Sequence, residues 1–142
     1  MPGDDDALIA VLRSTPEVAV AYLFGSRADD RARADSDVDV AVIFAPATDL
    51  PRRFAVRCEL SARLAHAVGV GRADVIDLES ASPLLAHEVL RRGRLLVSSD
   101  EPLRTRVVAR QVMRYIDTAP MRRVLDEAVF RRIAEGTFGR LA

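Results

Sequence analysis

Two carboxylates, Asp37 and Asp39, stand one residue apart at the head of an apolar run that ends at Phe44. Because side chains alternate between the two faces of a strand, both carboxylates should project from one face, roughly 7 Å apart. Two bare charges at that separation repel by about 2 kcal/mol at an effective dielectric constant of about 20. Mg²⁺ would relieve this repulsion, since proteins typically hold it by one or two carboxylates together with substrate phosphates. We therefore predict that Asp37 and Asp39 bind Mg²⁺.

A second polar pair, Gly25-Ser26, follows the apolar segment Val18–Phe24 and precedes a predicted short helix over residues 27–33. Glycine lets the backbone approach a ligand closely, and a helix N-terminus with a serine hydroxyl suits phosphate. Arg27 could contact a phosphate or solvate the loop. Together with the two aspartates, these residues predict a site for a nucleoside triphosphate and Mg²⁺.

A third carboxylate would complete a site in which two metal ions support phosphoryl transfer. The segment ADVIDL, residues 73–78, predicts a strand and offers Asp74 and Asp77, whose side chains would point to opposite faces. Asp74 is favoured because it lies inside the strand, where a charge is costly without a partner. Asp77 stays an alternative, since spacing does not decide between the two. The structural alternatives for the first pair are a turn cap at Asp37 and an edge charge at Asp39.

Apolar runs, turn residues and helix signals predict the elements that position these side chains. The predicted strands span residues 18–24, 37–44, 73–78 and 94–97, and the predicted helices span residues 4–13, 51–68, 82–90, 101–117 and 120–135. This order predicts an α/β fold, a small mixed β-sheet packed with helices. Residues 1–99 form the predicted core. Residues 100–142 form a helical extension whose arginines and apolar residues favour binding of a partner or self-association.

The bulk composition narrows the class of protein. The formal net charge is zero and the longest apolar runs are far shorter than a bilayer span, so neither nucleic acid nor membrane is an expected partner. The only cysteine, Cys58, excludes an internal disulfide, and a cytoplasmic location is expected. Cys58 is predicted to lie in the core on the inner stripe of helix 51–68, which also carries Phe54, Ser61, Leu64 and Val68.

The spacing of the polar residues resembles a known signature. The pattern is similar to the signature of the nucleotidyltransferase superfamily typified by DNA polymerase beta. It consists of Gly25-Ser26, ten intervening residues and then Asp37-Val38-Asp39. The stretch LFGSRADDRARADSDVDVAVIF resembles its minimal nucleotidyltransferase (MNT) branch. The later strand ADVIDL also fits, and the resemblance covers about residues 8–97.

The C-terminal segment RYIDTAPMRRVLDEAVFRRIAEGTFGR resembles the last helices of MNT antitoxins encoded beside HEPN-domain RNase toxins. The resemblance implies an enzyme that transfers AMP from ATP to a tyrosine of the toxin with Mg²⁺. By that resemblance Gly25, Ser26 and Arg27 would hold the nucleotide. Asp37, Asp39 and Asp74 would bind metal and serve catalysis, with Asp74 assisting the attacking hydroxyl.

Two other functions stay open. The same fold could neutralise a toxin by binding alone, or it could transfer a nucleotide to a small molecule, although the chain looks short for the latter. Family members often continue Gly-Ser-Arg-Ala-Arg-Gly, whereas this chain has Asp29-Asp30 after Ala28, which slightly favours the binding role. The sequence does not decide between ATP and other triphosphates, nor does it give the oligomeric state.

Overall fold

A computed structural model describes residues 3–29 and 36–136. Its helices and strands are α1 (Asp4–Arg13), β1 (Val18–Phe24), β2 (Val38–Phe44), α2 (Leu50–Val68), β3 (Ala73–Asp77), α3 (Pro83–Arg92), β4 (Arg94–Ser98), α4 (Glu101–Asp117) and α5 (Ala119–Ala134). Each predicted strand and each predicted long helix is confirmed. The short helix predicted over residues 27–33 is a 3₁₀ turn, Gly25–Asp29, and the rest of that prediction lies outside the described residues.

The four strands form one mixed sheet in the order β3-β2-β1-β4. β1 pairs antiparallel with both β2 and β4, whereas β2 and β3 run parallel and are joined by the crossover helix α2. This arrangement confirms the predicted mixed sheet. It also places the end of β1, the start of β2 and the start of β3 next to one another at the same end of the sheet.

Helices cover both faces of the sheet. Val38, Val40 and Val42 face α1 and α2, where they pack in one buried cluster. Ala41 and Ile43 face α3 and α4 in a second cluster. Because side chains alternate along β2, Asp39 lies on the same face as Ala41 and Ile43.

Helix α2 follows its predicted bounds closely, but its buried side matches the predicted stripe only in part, at Leu64. Asp49 caps the helix by accepting a 2.9 Å hydrogen bond from the backbone N–H of Arg52. The buried residues are spaced four apart, at Val56, Leu60 and Leu64. Cys58 is exposed, so its predicted place in the core was wrong. It lies two residues from Leu60, which is about 200° around a helix.

The two C-terminal helices differ in how they pack. Helix α4 contributes Leu103 and Val107 to the second cluster, and its buried Gln111 donates a 2.6 Å hydrogen bond to the carbonyl of Leu78. Helix α5 has no buried residue. Its Arg122 guanidinium lies 3.7 Å from the centroid of the Tyr115 ring of α4. Within the described part of the chain, no helix is long and apolar enough to cross a membrane.

Candidate active site

Asp39 and Asp74 are register partners on the parallel strands β2 and β3. Neighbouring strands lie about 4.8 Å apart, so the two side chains rise next to each other from the face that α3 and α4 cover. Asp74 is 43% exposed, and its Oδ1 lies 3.1 Å from Nε of Arg72. The sheet therefore places two carboxylates side by side at a solvent-accessible point.

Asp77, the alternative third carboxylate, lies away from this pair. It is only 6% exposed, and its Oδ2 accepts a 3.2 Å hydrogen bond from Nη1 of Arg53. Its Oδ1 accepts a 3.0 Å hydrogen bond from the backbone N–H of Glu79. Both oxygens are thus occupied, and the largely buried ion pair with Arg53 ties the end of β3 to α2. The structure brings Asp74, and not Asp77, next to Asp39.

Gly25 packs directly against Asp39. Its neighbour Phe24 pairs with Asp39 in the antiparallel register of β1 and β2, and Gly25 itself has a φ of +76°. A Cβ at this position would overlap Oδ2 of Asp39. Only glycine therefore fits both the backbone conformation and the space. The predicted phosphate-binding turn and the predicted metal-binding aspartate meet as expected.

Asp37 takes a more outlying position than predicted. The strand begins at Val38, so Asp37 is the residue before it, and its side chain is exposed. Among the described residues, no three His, Cys, Asp or Glu side chains lie close enough together to hold a metal ion by themselves. The carboxylates of Asp37, Asp39 and Asp74 still suit Mg²⁺, because proteins usually hold this ion by one or two carboxylates while phosphates and water supply the remaining oxygens.

The electrostatics of Asp39 reflect this crowding of carboxylates. Partial burial raises the pKa of the Asp39 carboxyl, repulsion from Asp74 and Asp37 raises it further, and Arg72 offsets part of the effect. The ionised form is thus disfavoured by the protein alone. A cation placed between Asp39 and Asp74 would remove this penalty.

Arg27 is held inside the protein beside the turn. Its side chain is 7% exposed, its Nη1 lies 2.8 Å from Oδ2 of Asp4, and its Nε donates a 3.0 Å hydrogen bond to the carbonyl of Ser36. Arg27 therefore links α1, the 3₁₀ turn and the residue that precedes Asp37. Its predicted contact with a phosphate stays a prediction.

A second arginine ties the same turn to α1, and the sequence did not reveal it. Nη2 of Arg94 lies 2.9 Å from Oδ2 of Asp5, and its Nη1 donates a 3.3 Å hydrogen bond to the carbonyl of Ala28. Acidic residues at the start of a helix are a common N-terminal signal in their own right. The partners of the acidic start of α1 lie more than 20 residues away, so no local spacing could have shown them.

A cleft of about 450 Å³ opens beside the carboxylate pair. Helix α2 overhangs the edge strand β3 here, and Nε of Arg57 donates a 3.0 Å hydrogen bond to the carbonyl of Val75. The cleft is lined by Phe24, Asp39, Phe54, Arg57, Cys58, Ser61, Asp74, Val75, Ile76 and Leu85. The sequence prediction missed the α2 residues of this wall because it assigned Phe54, Cys58 and Ser61 to the buried stripe.

The mixed sheet, the glycine turn and the paired aspartates agree with the nucleotidyltransferase family that the sequence resembles. The family model described as "Polymerase beta, Nucleotidyltransferase" matches residues 6–102, more than half of the chain. The chain belongs to this family.

Individual relatives give a narrower comparison. The protein adenylyltransferase MntA of Shewanella oneidensis is 34% identical over 94 residues, which cover 66% of this chain and 64% of that protein. The chain thus spans a little under two thirds of this curated relative's length.

Solved structures are similar over a longer stretch. A chain in a crystal structure of a toxin–antitoxin with AMP-PNP is 28% identical, with a TM-score of 0.70, over 87% of this chain and 97% of that one. A chain in the complex of a tri-AMPylated Shewanella oneidensis HEPN toxin with its MNT antitoxin is 27% identical, with a TM-score of 0.65, over 88% and 95%.

Proposed function

We propose that this chain is an antitoxin that transfers AMP from ATP to a tyrosine of a HEPN-domain toxin, with Mg²⁺. The single observation that carries the proposal is the paired register of Asp39 and Asp74 beside Gly25. Membership of the nucleotidyltransferase family supports the class of reaction. The likeness to a protein adenylyltransferase and to an MNT antitoxin complexed with an AMPylated toxin supports the choice of acceptor.

In this proposal, each functional group has its place on the sheet. Gly25 and Ser26, at the end of β1, bind the terminal phosphates of ATP through backbone N–H groups and the serine hydroxyl. Asp37 and Asp39, around the start of β2, and Asp74, on β3, would hold Mg²⁺. When bound, Mg²⁺ neutralises the charge that develops on the phosphate oxygens during transfer. Asp74 accepts the proton of the attacking hydroxyl.

The C-terminal helices supply the surface for the toxin. Helix α5 has no buried residue, yet apolar side chains occur around its circumference, and the end of α4 continues this surface. The exposed apolar residues are Val112, Met113, Ile116, Met121, Val124, Leu125, Val129, Phe130 and Ile133. Arginines lie between them, and apolar residues mixed with Arg are typical of protein interfaces. We assign residues 100–142 this role and place the reaction in the cytoplasm, where ATP is available.

Intact mass spectrometry of the HEPN-domain protein encoded beside this gene would test the reaction. The toxin should be incubated with ATP and Mg²⁺ in the presence of either the wild-type chain or the Asp39→Asn variant. We expect the toxin to gain one or more AMP units with the wild type only. A toxin of unchanged mass after incubation with the wild-type chain would contradict the proposal.

A second candidate function is neutralisation by binding alone, and the exposed apolar surface of α5 is the observation that favours it. The same experiment separates the two functions if toxin RNase activity is measured in parallel. Inhibition by both proteins without a mass gain would establish the binding role. Inhibition that requires the mass gain would establish the transferase.

A further inference from the structure

The order of the strands predicts the side from which the acceptor approaches, provided that the proposed nucleotidyl transfer is correct. Gly25 and Ser26 lie at the end of β1, Asp39 on β2 and Asp74 on β3, so the three groups follow one direction across the sheet. Phosphoryl transfer proceeds roughly in line, with the attacking and leaving oxygens on opposite sides of the phosphorus. Because the leaving pyrophosphate is held at β1, the attacking hydroxyl must enter from the side of β3.

The cleft of about 450 Å³ lies on that side of the carboxylate pair. β3 is the edge strand, and the outer flank of α2 overhangs it, with Arg57 bonded to the carbonyl of Val75. Phe54 from α2 and Leu85 from α3 line the cleft, and they are 66% and 37% exposed. Asp39 and Asp74 line the same cleft. Apolar side chains thus form part of the wall of a path that leads to the carboxylates.

We infer that this cleft is the acceptor subsite and that it receives the phenol ring of a tyrosine carried by the partner protein. Its volume falls within the roughly 300–1,000 Å³ typical of ligand pockets. Cys58 and Ser61 have small side chains and leave room beside Phe54. An aromatic ring packs well against Phe54 and Leu85, while its hydroxyl reaches the polar end of the cleft at Asp74.

The transfer step balances with the groups named. The tyrosine oxygen forms a bond to the α-phosphorus of ATP while the bond from that phosphorus to the bridging oxygen breaks. Pyrophosphate leaves with the bonding electrons, and the hydroxyl proton passes to the Asp74 carboxylate. Serine or threonine would present the same hydroxyl without a ring, so the apolar walls select for tyrosine by packing.

Matched alanine variants test the subsite. Phe54→Ala and Leu85→Ala remove cleft walls, whereas Leu50→Ala and Leu84→Ala remove equally apolar exposed side chains that do not line the cleft. The readouts are the KM for the toxin in the AMP-transfer assay, the Kd for AMP-PNP with Mg²⁺, and the melting temperature. We expect each cleft variant to raise the KM for the toxin about tenfold, with the Kd for AMP-PNP unchanged. The two control variants should match the wild type in all three readouts.

Two results would overturn the inference while leaving the proposed function intact. A weaker affinity for AMP-PNP in Phe54→Ala, with the KM for toxin unchanged, would mean that the nucleobase occupies the cleft. Equal toxin KM values for cleft and control variants would mean that the acceptor enters elsewhere. A wild-type chain that transfers no AMP would remove the proposed function, and the subsite with it. The wild-type assay therefore distinguishes failure of the proposed function from failure of the subsite.

Discussion

Asp39 and Asp74 are direct register partners on two parallel strands, so their carboxylates stand about one strand spacing apart. A sheet with like charges in such a pair is less stable than one with neutral partners. The fold keeps both, and it also packs Gly25 against one of them. This relationship is more readily explained by a bound cation than by packing, and it leads to opposite effects of mutation on stability and on catalysis.

Asp39→Asn should separate these two effects. Removing one charge relieves the repulsion with Asp74, so without Mg²⁺ the melting temperature should rise by about 2–4 °C, equivalent to about 1 kcal/mol. AMP transfer should fall at least about a thousandfold, or about 4 kcal/mol in the activation barrier. Differential scanning fluorimetry and the mass-based transfer assay measure the two quantities. A large loss of thermal stability in this variant would show that Asp39 has a structural role instead.

The pH dependence of stability follows from the raised pKa of Asp39. The folded state binds a proton at this carboxyl more tightly than the unfolded chain does. Between the ordinary pKa and the raised pKa, this residue therefore makes the protein less stable as the pH rises. Melting curves of the wild type and Asp39→Asn, recorded without Mg²⁺ across acidic pH, should diverge in this window. Parallel curves would contradict the assigned cause.

Asp74→Asn and Asp77→Asn should have contrasting effects, although the two residues are only three apart. Asp77→Asn weakens a largely buried ion pair with Arg53, which should lower the free energy of unfolding by about 2 kcal/mol. Asp74→Asn relieves the same repulsion with Asp39 but loses the exposed ion pair with Arg72, so stability should change little. It should nevertheless abolish AMP transfer. Chemical denaturation and transfer assays on both variants check this. If Asp77→Asn is well folded but inactive while Asp74→Asn is active, the third catalytic carboxylate is Asp77 and not Asp74.

The elements were predictable from sequence because their signals are local. Apolar runs define the strands, while Pro and Gly define the helix ends, and the pair Gly25 with Asp39 follows from the order of β1 and β2. The position of Asp74 inside its strand favoured it over Asp77, but the sequence could not decide the choice, since it depends on the register between β2 and β3. The buried side of α2 was predicted only in part, with Leu64 buried as expected and Cys58 exposed, because several rotations of that helix give plausible apolar stripes. Contacts such as Arg94 with Asp5 join distant segments, and no local pattern encodes them.

Gly25→Ala should damage the site more than the fold, and Gly69→Ala provides a matched control. Both residues have positive φ, so each substitution should cost about 1 kcal/mol of stability. A Cβ at Gly69 meets nothing within 4 Å, whereas a Cβ at Gly25 displaces the Asp39 carboxylate. We expect the two variants to have similar melting temperatures. Only Gly25→Ala should reduce AMP transfer, by at least about a hundredfold, since one displaced group can raise the activation barrier by about 3 kcal/mol. Equal activities would show that Asp39 tolerates the shift.

The ion pair between Asp4 of α1 and Arg27 of the 3₁₀ turn predicts that Asp4 affects nucleotide binding. Asp4→Asn removes the ion pair between Asp4 and Arg27, which is one of the contacts that orient Arg27. The KM for ATP should rise about threefold, as expected for a partly exposed pair. Asp6→Asn is the control, because it removes the same charge from the same helical turn and Asp6 has no ion pair with any residue in the described ranges. If Arg27 instead contacts a phosphate directly, releasing it from Asp4 should lower the KM. Steady-state kinetics on the two variants distinguish these outcomes.

Phe130→Glu should disrupt toxin binding without disturbing the fold. Phe130 is 71% exposed on α5, a helix with no buried residue, so the free energy of unfolding should change by less than about 0.5 kcal/mol. If α5 lies in the interface, the buried charge should raise the Kd for the toxin at least about a hundredfold, since an unpaired charge at an interface costs several kcal/mol. Leu50→Glu introduces the same charge at an exposed apolar residue of α2 and should bind the toxin as the wild type does. Isothermal titration of both variants gives the answer, and an unchanged Kd for Phe130→Glu would remove α5 from the proposed interface.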